Sequence, residues 1–250
     1  MQRYFIKSEQ LVDNQIMITG DDVHHISTVM RANVGDQLIL CTDDARSFLA
    51  NITHLAKAEV HVEVVTTKKE AVELPVFVTI AQAITKGDKF DLIVQKGTEC
   101  GASAFVPIAM KRSVAKIEPT KAGKKVQRWQ KIALEAARQS HRQMVPEVGM
   151  PVDVAQLLRL AAAYDVCLFA YEEEGRDRSR ALADAVAKMQ AGARVLVLIG
   201  PEGGIDEVEA SALLEAGFTA VGLGPRILRT ETASIYVMSA ISYALEIEGR

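Results

Sequence analysis

Apolar positions in the first 70 residues fall in short runs separated by turn formers. Segments 15–19, 37–42, 47–54 and 60–67 are rich in Val, Ile and Leu, with Gly20-Asp21 and Gly35-Asp36 between them. That is the pattern of strands joined by turns. The strictest alternation sets Val60, Val62 and Val64 on one face and His61, Glu63 and Val65 on the other, the two-residue period of a half-buried strand. Several short strands without regular helices predict a small barrel. The charged segment KKEAVELP at 68–75 closes on proline and precedes a change of style. It predicts two domains, 1–70 and 75–250.

Beyond Pro75 the period changes. Near-continuous apolar runs at 76–81, 104–108, 165–171, 194–199 and 220–223 alternate with helical stripes. Phe90, Ile93, Val94 and Gly97 follow the i, i+3, i+4, i+7 spacing, and 124–139 reads as a long amphipathic helix with Val126, Trp129, Ala133 and Ala136 inward. Apolar strands alternating with helices predict an α/β domain whose sheet is covered on both faces.

Composition narrows the class. With 49% apolar and 24% charged residues, the 250-residue chain has an ordinary globular make-up rather than a disordered one. Cys41, Cys100 and Cys167 lie far apart with no CxxC pair, which argues against a disulfide framework and a thiolate zinc site and suits free core residues. His24, His25, His54, His61 and His141 show no ligand spacing, so no metal is expected. The start lacks the apolar core of a signal peptide, and the longest uncharged run, 232–245, is 14 residues. A membrane span needs about 20. The expectation is a soluble cytoplasmic protein.

Charge is unevenly placed. The net charge of −3 conceals ten Lys/Arg against two Asp/Glu between 110 and 146, a local +8 that leaves −11 elsewhere. Phosphates respond to the local field, so a polyanion can bind despite the total.

Two glycine-rich turns follow apolar strands. The run 195–199 enters GPEGG at 200–204, after which Asp206 and Glu209 have the spacing of a helix capping box. The run 220–223 enters GPRILRTETA at 224–233. Ligands in open α/β sheets bind beyond the carboxyl ends of strands, so the two turns predict a pocket. Neither is a nucleotide motif: Gly222-x-Gly224-x-x-Ile227 lacks the third glycine, and GPEGG lacks the Lys-Ser/Thr ending.

LIGPEGGIDEVE at 198–209 and LGPRILRTETA at 223–233 resemble the two signature motifs of the SPOUT-superfamily 16S ribosomal RNA uridine N3-methyltransferases. The likeness extends to RYF at 3–5, HHISTVMRANVGD at 24–36, KGDKFDLIVQKGTECG at 86–101 and EAARQSHR at 135–142, in order along nearly the whole chain. One stretch departs from it, because the family usually has an acidic residue where Arg138 stands and a small one at His141. The resemblance implies a PUA-like amino-terminal barrel, a carboxy-terminal methyltransferase domain with a trefoil knot, and a homodimer with active sites near the subunit interface.

It also implies methyl transfer from S-adenosyl-L-methionine to N3 of a single uridine in 16S rRNA of the small ribosomal subunit. The methyl sits on a sulfonium leaving group, so the enzyme needs positioning rather than a metal. The cofactor is expected at Ile199, Gly200, Glu202, Gly203, Gly204, Leu223, Gly224, Ile227 and Leu228, completed by Phe169, Ala170 and Tyr171. N3 carries a proton, which calls for a base or for stabilisation of the resulting anion. Glu202 and Glu231 are the carboxylates of the two motifs, with helix capping as their alternative role. Arg229 and Arg226 are the catalytic reading preferred beside Glu231, since they suit charge developing on the uracil oxygens.

For RNA, the basic stretch offers Arg112, Lys124, Lys125, Arg138 and Arg142, joined by Lys86 and, in the barrel, Arg3, His25 and Arg31. With aromatics at 5%, recognition through phosphate and shape is expected over stacking. The competing readings are a methyltransferase for another RNA and a non-catalytic RNA-binding assembly factor. Intact turn glycines and Arg229 weigh against the latter.

Overall fold

The computed structural model describes residues 1–69, 72–172 and 180–248. The chain divides into two units, Met1–Glu73 with Ala137–Val145, and Leu74–Ala136 with Pro146–Arg250.

In the first unit, β1 (Arg3–Ile6), β2 (Gln15–Thr19), β3 (Gln37–Thr42), β4 (Ser47–Leu55) and β5 (Glu59–Lys68) form a sheet ordered β1-β3-β4-β5-β2. The β1–β3 ladder is parallel and the others are antiparallel. Tyr4 and Ile6 from one edge strand share a core cluster with Ile16 and Ile18 from the other. A flat sheet could not bring both edges to one core, so this one curls around it. The short helix α1 (Asp21–His24) and the turn after it add Val23 and Ile26 to that core. Strand β1 is not predicted by the pattern of the chain. Its partner is distant, with Arg3 facing Ile39, and four residues carry no readable period.

The segment Ala137–Val145 falls in the second domain by sequence but belongs to the first unit. Its anchors are polar. The Glu73 carboxylate accepts Arg142 Nε at 2.7 Å and the backbone N–H groups of Gln143 and Met144 at 2.7 and 3.2 Å. Gln143 Nε2 donates to Ser47 Oγ at 2.8 Å, and Arg138 pairs with Asp22 while its guanidinium lies 5.7 Å from the Tyr4 ring centre.

The second unit contains β6 (Phe77–Ala83), α2 (Lys89–Glu99), β7 (Ala104–Ala109), α3 (Pro119–Gln139, its end lying in the first unit), β8 (Glu147–Val148), β9 (Val152–Asp153) and α4 (Val154–Ala161). It continues with β10 (Val166–Ala170), α5 (Ala181–Ala187), β11 (Arg194–Ile199), α6 (Glu207–Glu215), β12 (Thr219–Val221) and α7 (Thr230–Ser242). The strands form a parallel sheet ordered β12-β10-β11-β6-β7-β8, with β9 also on β7. Ile80, Phe105, Leu168 and Val197 are fully buried, as expected where helices cover both faces.

Helix α3 starts earlier than its stripe suggested, at Pro119, a residue suited to the first helical position. Ala122, Trp129, Ala133 and Ala136 are buried along it, whereas Val126 is half-buried. Strand β12 stops at Val221, so Gly222 and Leu223 belong to the following turn. Cys41 is buried, but Cys100 and Cys167 are half-buried rather than full core residues.

Candidate active site at the carboxyl edge of the sheet

Strand β10 lies between β11 and β12, all three parallel. Phe169 faces Leu198 on one side and Ala220 on the other, so the three strands end at the same level. The turns that follow them, with Tyr171 and Glu172 after β10, enclose a cavity of about 860 Å³. Such a volume suits a small molecule or cofactor.

The glycines shape this cavity. Gly204 has φ +72°, and a Cβ built on it would meet nothing within 4 Å. A Cβ on Gly200 would come within 2.7 Å of Ile205 Cγ1, and one on Gly203 within 3.2 Å of the Arg112 carbonyl. The first turn therefore packs too closely for side chains at 200 and 203, while 204 needs a conformation that glycine adopts freely. Asp206 caps α6 by accepting the Val208 N–H at 3.2 Å, with Glu209 reciprocating at the Asp206 N–H. Lys111 Nζ at 3.1 Å is the chief reason the Asp206 carboxyl is held below its ordinary pKa.

A buried polar cluster joins the two turns. Thr230 Oγ1 donates to the Gly200 carbonyl at 2.7 Å and accepts from Gln82 Nε2 at 2.8 Å, and Ser234 Oγ donates to Gln82 Oε1. Gln82 and Ser234 are almost wholly buried. Sequence reasoning missed this cluster, although a glutamine inside the apolar run of β6 was the available signal.

Every position expected at the cofactor lines the cavity except Phe169. Its ring is buried in the core, with its centre 5.6 Å from that of Tyr171. The strand alternation that turns Ala170 toward the turns turns Phe169 away. Arg226 and Arg229 line the cavity, are exposed, and make no ion pair among the described residues. Glu231 sits just behind, in the first turn of α7. Its Oε2 is buried without a hydrogen bond, 3.5 Å from Lys89 Nζ.

Lys89 was not singled out by sequence. It opens α2, lines the cavity and donates to Glu202 Oε1 at 3.0 Å. That hydrogen bond is the main cause of the raised Lys89 pKa. Burial pushes the Glu202 carboxyl up, but its own backbone N–H and Lys89 outweigh burial and hold it below its ordinary value.

The expected RNA contacts divide. Arg112 lines the same cavity, with Nε 3.5 Å from Asp206 Oδ2. Lys86, Lys124, Lys125 and Arg31 are exposed. Lys125 Nζ lies 5.8 Å from the Trp129 ring centre. His25 is half-buried, with Nδ1 2.9 Å from the Tyr4 hydroxyl. Arg3, Arg138 and Arg142 do not present their charge to solvent. Arg3 is 4% and Arg142 3% exposed, and the partners of Arg142 and Arg138 are Glu73 and Asp22. A guanidinium shielded from water and already paired is no phosphate clamp. Among the described residues, no three His, Cys, Asp or Glu side chains cluster as a metal site would require.

Comparison with known proteins is consistent across sequence and structure. Residues 72–242 match the family described as an RNA methyltransferase domain, and residues 18–65 match the RNA methyltransferase PUA domain. The ribosomal RNA small subunit methyltransferase E of Bacillus subtilis is 45% identical, over 99% of this chain and 98% of that protein. The protein of the same name from Synechocystis is 32% identical, over 98% of this chain and 78% of its own length. Among solved structures, a ribosomal RNA small subunit methyltransferase E from Neisseria gonorrhoeae, bound to S-adenosyl methionine, superposes with a TM-score of 0.82. It is 27% identical, with 98% of both chains covered.

Proposed function

This chain belongs to the RNA methyltransferase family that includes the small subunit methyltransferases E, and from that premise we propose that it methylates N3 of a single uridine in 16S rRNA. The methyl donor is S-adenosyl-L-methionine, as in the Neisseria relative. The observation that carries this reading is the cavity formed where two glycine turns meet beyond parallel strands, with Arg226 and Arg229 at its wall.

The residues present fit the cofactor. The volume admits a nucleoside with an amino-acid tail, and Gly204 offers backbone with open space beside it. Main-chain groups at Ile199, Gly200, Gly204, Leu223, Gly224 and Leu228 would hold it, with Tyr171 closing one side. The bound cofactor supplies a methyl group on a sulfonium, activated without a metal.

The protein orients uracil N3 toward that methyl and manages the N3 proton. Arg229 and Arg226 hold the negative charge that spreads onto the uracil oxygens as N3 passes its proton to solvent water, which leaves the N3 lone pair free to take the methyl. Two observations support an arginine role over a carboxylate base. The arginines have no competing ion pair among the described residues, whereas Lys89 already engages Glu202 and stands beside Glu231.

In the second unit Lys86, Arg112, Lys124 and Lys125 are the residues offered to RNA, and in the first unit, taken by itself, Arg31 and His25 are. Arg138 and Arg142 instead pair with Asp22 and Glu73 within the first unit, and Arg3 is buried there. The substrate is the small ribosomal subunit, encountered in the cytoplasm. No helix among the described residues is long and apolar enough to cross a membrane. The homodimer and the trefoil knot are part of the same reading. Exposed Ile227, Tyr236, Tyr243 and Ile247 near the second turn and along the last helix are apolar surface of the kind an interface covers. The Thr230–Gly200 hydrogen bond seats the second turn against the first.

The test is to incubate the protein with labelled S-adenosyl-L-methionine and unmethylated small subunits, digest the RNA and identify the labelled nucleoside. Label in 3-methyluridine is expected. Label in any other nucleoside, or no transfer at all, overturns the proposal.

A further inference from the structure

Lys89 lies outside both glycine motifs yet meets a carboxylate from each. Glu202 belongs to the turn after β11, and Glu231 to the first turn of α7, directly after the turn from β12. The Lys89 ammonium is 3.0 Å from the first and 3.5 Å from the second, and its side chain lines the cavity. Two carboxylates sharing one ammonium leave one negative charge. The Glu231 oxygen nearest Lys89 is buried with no hydrogen bond, so the ammonium offsets the repulsion at the Glu231 side, whereas Glu202 also has its own backbone N–H and the charge of Lys86. Side-chain exposures of 33% for Lys89, 29% for Glu202 and 13% for Glu231 leave water to screen only part of this interaction.

We propose that Lys89 is a positioning residue of the cofactor site, an ammonium clamp that holds the turn after β11 to the start of α7. The clamp fixes the spacing of the two cavity walls before the cofactor arrives. This deepens the S-adenosyl-L-methionine reading and rests on it. Without the ammonium, the carboxylates repel and the walls separate. The damage therefore arises from charge, and removing one carboxylate repairs it.

Calorimetry with S-adenosylhomocysteine tests the clamp, because an uncharged thioether keeps direct attraction at sulfur out of the measurement. K89M is expected to bind it about tenfold more weakly than the unmodified protein, between the loss for an exposed pair and that for a buried one. K89R keeps a cation and stays within about threefold. K89M/E231Q removes the unpaired carboxylate and recovers to within about threefold.

A K89M protein that binds as tightly as the unmodified one overturns the clamp. So does a loss that E231Q fails to restore, since impaired packing would be indifferent to the glutamate. If K89M alone does not fold, the double variant decides: folding and binding regained support the clamp, and neither regained refutes it. Failure of the unmodified protein to bind the probe would overturn the cofactor reading and the clamp with it. Binding by the unmodified protein beside an unaffected K89M overturns the clamp alone.

Discussion

Replacing Thr230 by valine keeps the shape and removes one hydroxyl from the centre of the site. That hydroxyl donates to the Gly200 carbonyl at 2.7 Å and accepts from Gln82 Nε2 at 2.8 Å. In T230V the Gly200 oxygen loses this donor. Gln82 keeps its bond to the Ala83 carbonyl at 3.1 Å but has one amide hydrogen unpaired. Thr230 is 6% exposed and Gln82 0%, so water does not replace either partner easily. Leaving buried groups unsatisfied costs about 1–3 kcal/mol each, which places the loss for the two at about 2–6 kcal/mol. The assay is urea unfolding followed by tryptophan fluorescence. The single tryptophan, Trp129, is 3% exposed and lies in the second unit, so it reports on the unit that holds the cavity. T230S retains the hydroxyl and should unfold near the unmodified protein. A T230V stability within about 0.5 kcal/mol of the unmodified protein, as for a surface substitution, would refute the idea that this cluster fastens the two turns together.

Three further outcomes are expected. R229A should lower methyl transfer by about 100-fold or more while leaving the melting temperature unchanged, because the side chain is exposed and makes no ion pair among the described residues; kinetics and a thermal melt check both halves. Reversing the exposed Lys124 and Lys125 to glutamate should weaken RNA binding and flatten its salt dependence, by about 0.7–0.9 in the log–log slope for each phosphate no longer neutralised; titrations at several salt concentrations measure it. Tyr4 should ionise late: burial first, then Asp22, push its phenol from 10.0 up to about 12, against the opposing pull of Arg138. The folded state holds that proton more tightly than the unfolded one, so its stabilising contribution is complete below pH 10 and is lost as pH rises toward about 12. Alkaline absorbance titration of the unmodified protein and Y4F checks this.

Local chemistry was legible along the chain. The periods of strands and helices, the Asp206–Glu209 cap and the two glycine turns all depend on neighbours within a few residues, and such neighbours are written in sequence order. The basic stretch was equally visible as composition, but its assignment to one surface was not. Lys124 and Lys125 stay on the exposed face of α3, whereas Arg138 and Arg142, a few turns onward, are drawn to Asp22 and Glu73. Charge counts cannot tell a cation facing water from one answering a buried carboxylate, because the answering residue lies about 70 to 116 positions away.

The same distance separates what composes the candidate site. Gln82 meets Thr230 and Ser234 across some 150 residues, and Lys89 reaches Glu202 across 113. Sequence by itself determined which turns bend and which strands carry them. Only the tertiary structure decided that β10 stands between β11 and β12, and that α2 delivers an ammonium to the carboxylates of both turns. Backbone preferences are local, whereas burial of polar and charged groups is settled only when distant segments pack and must satisfy one another.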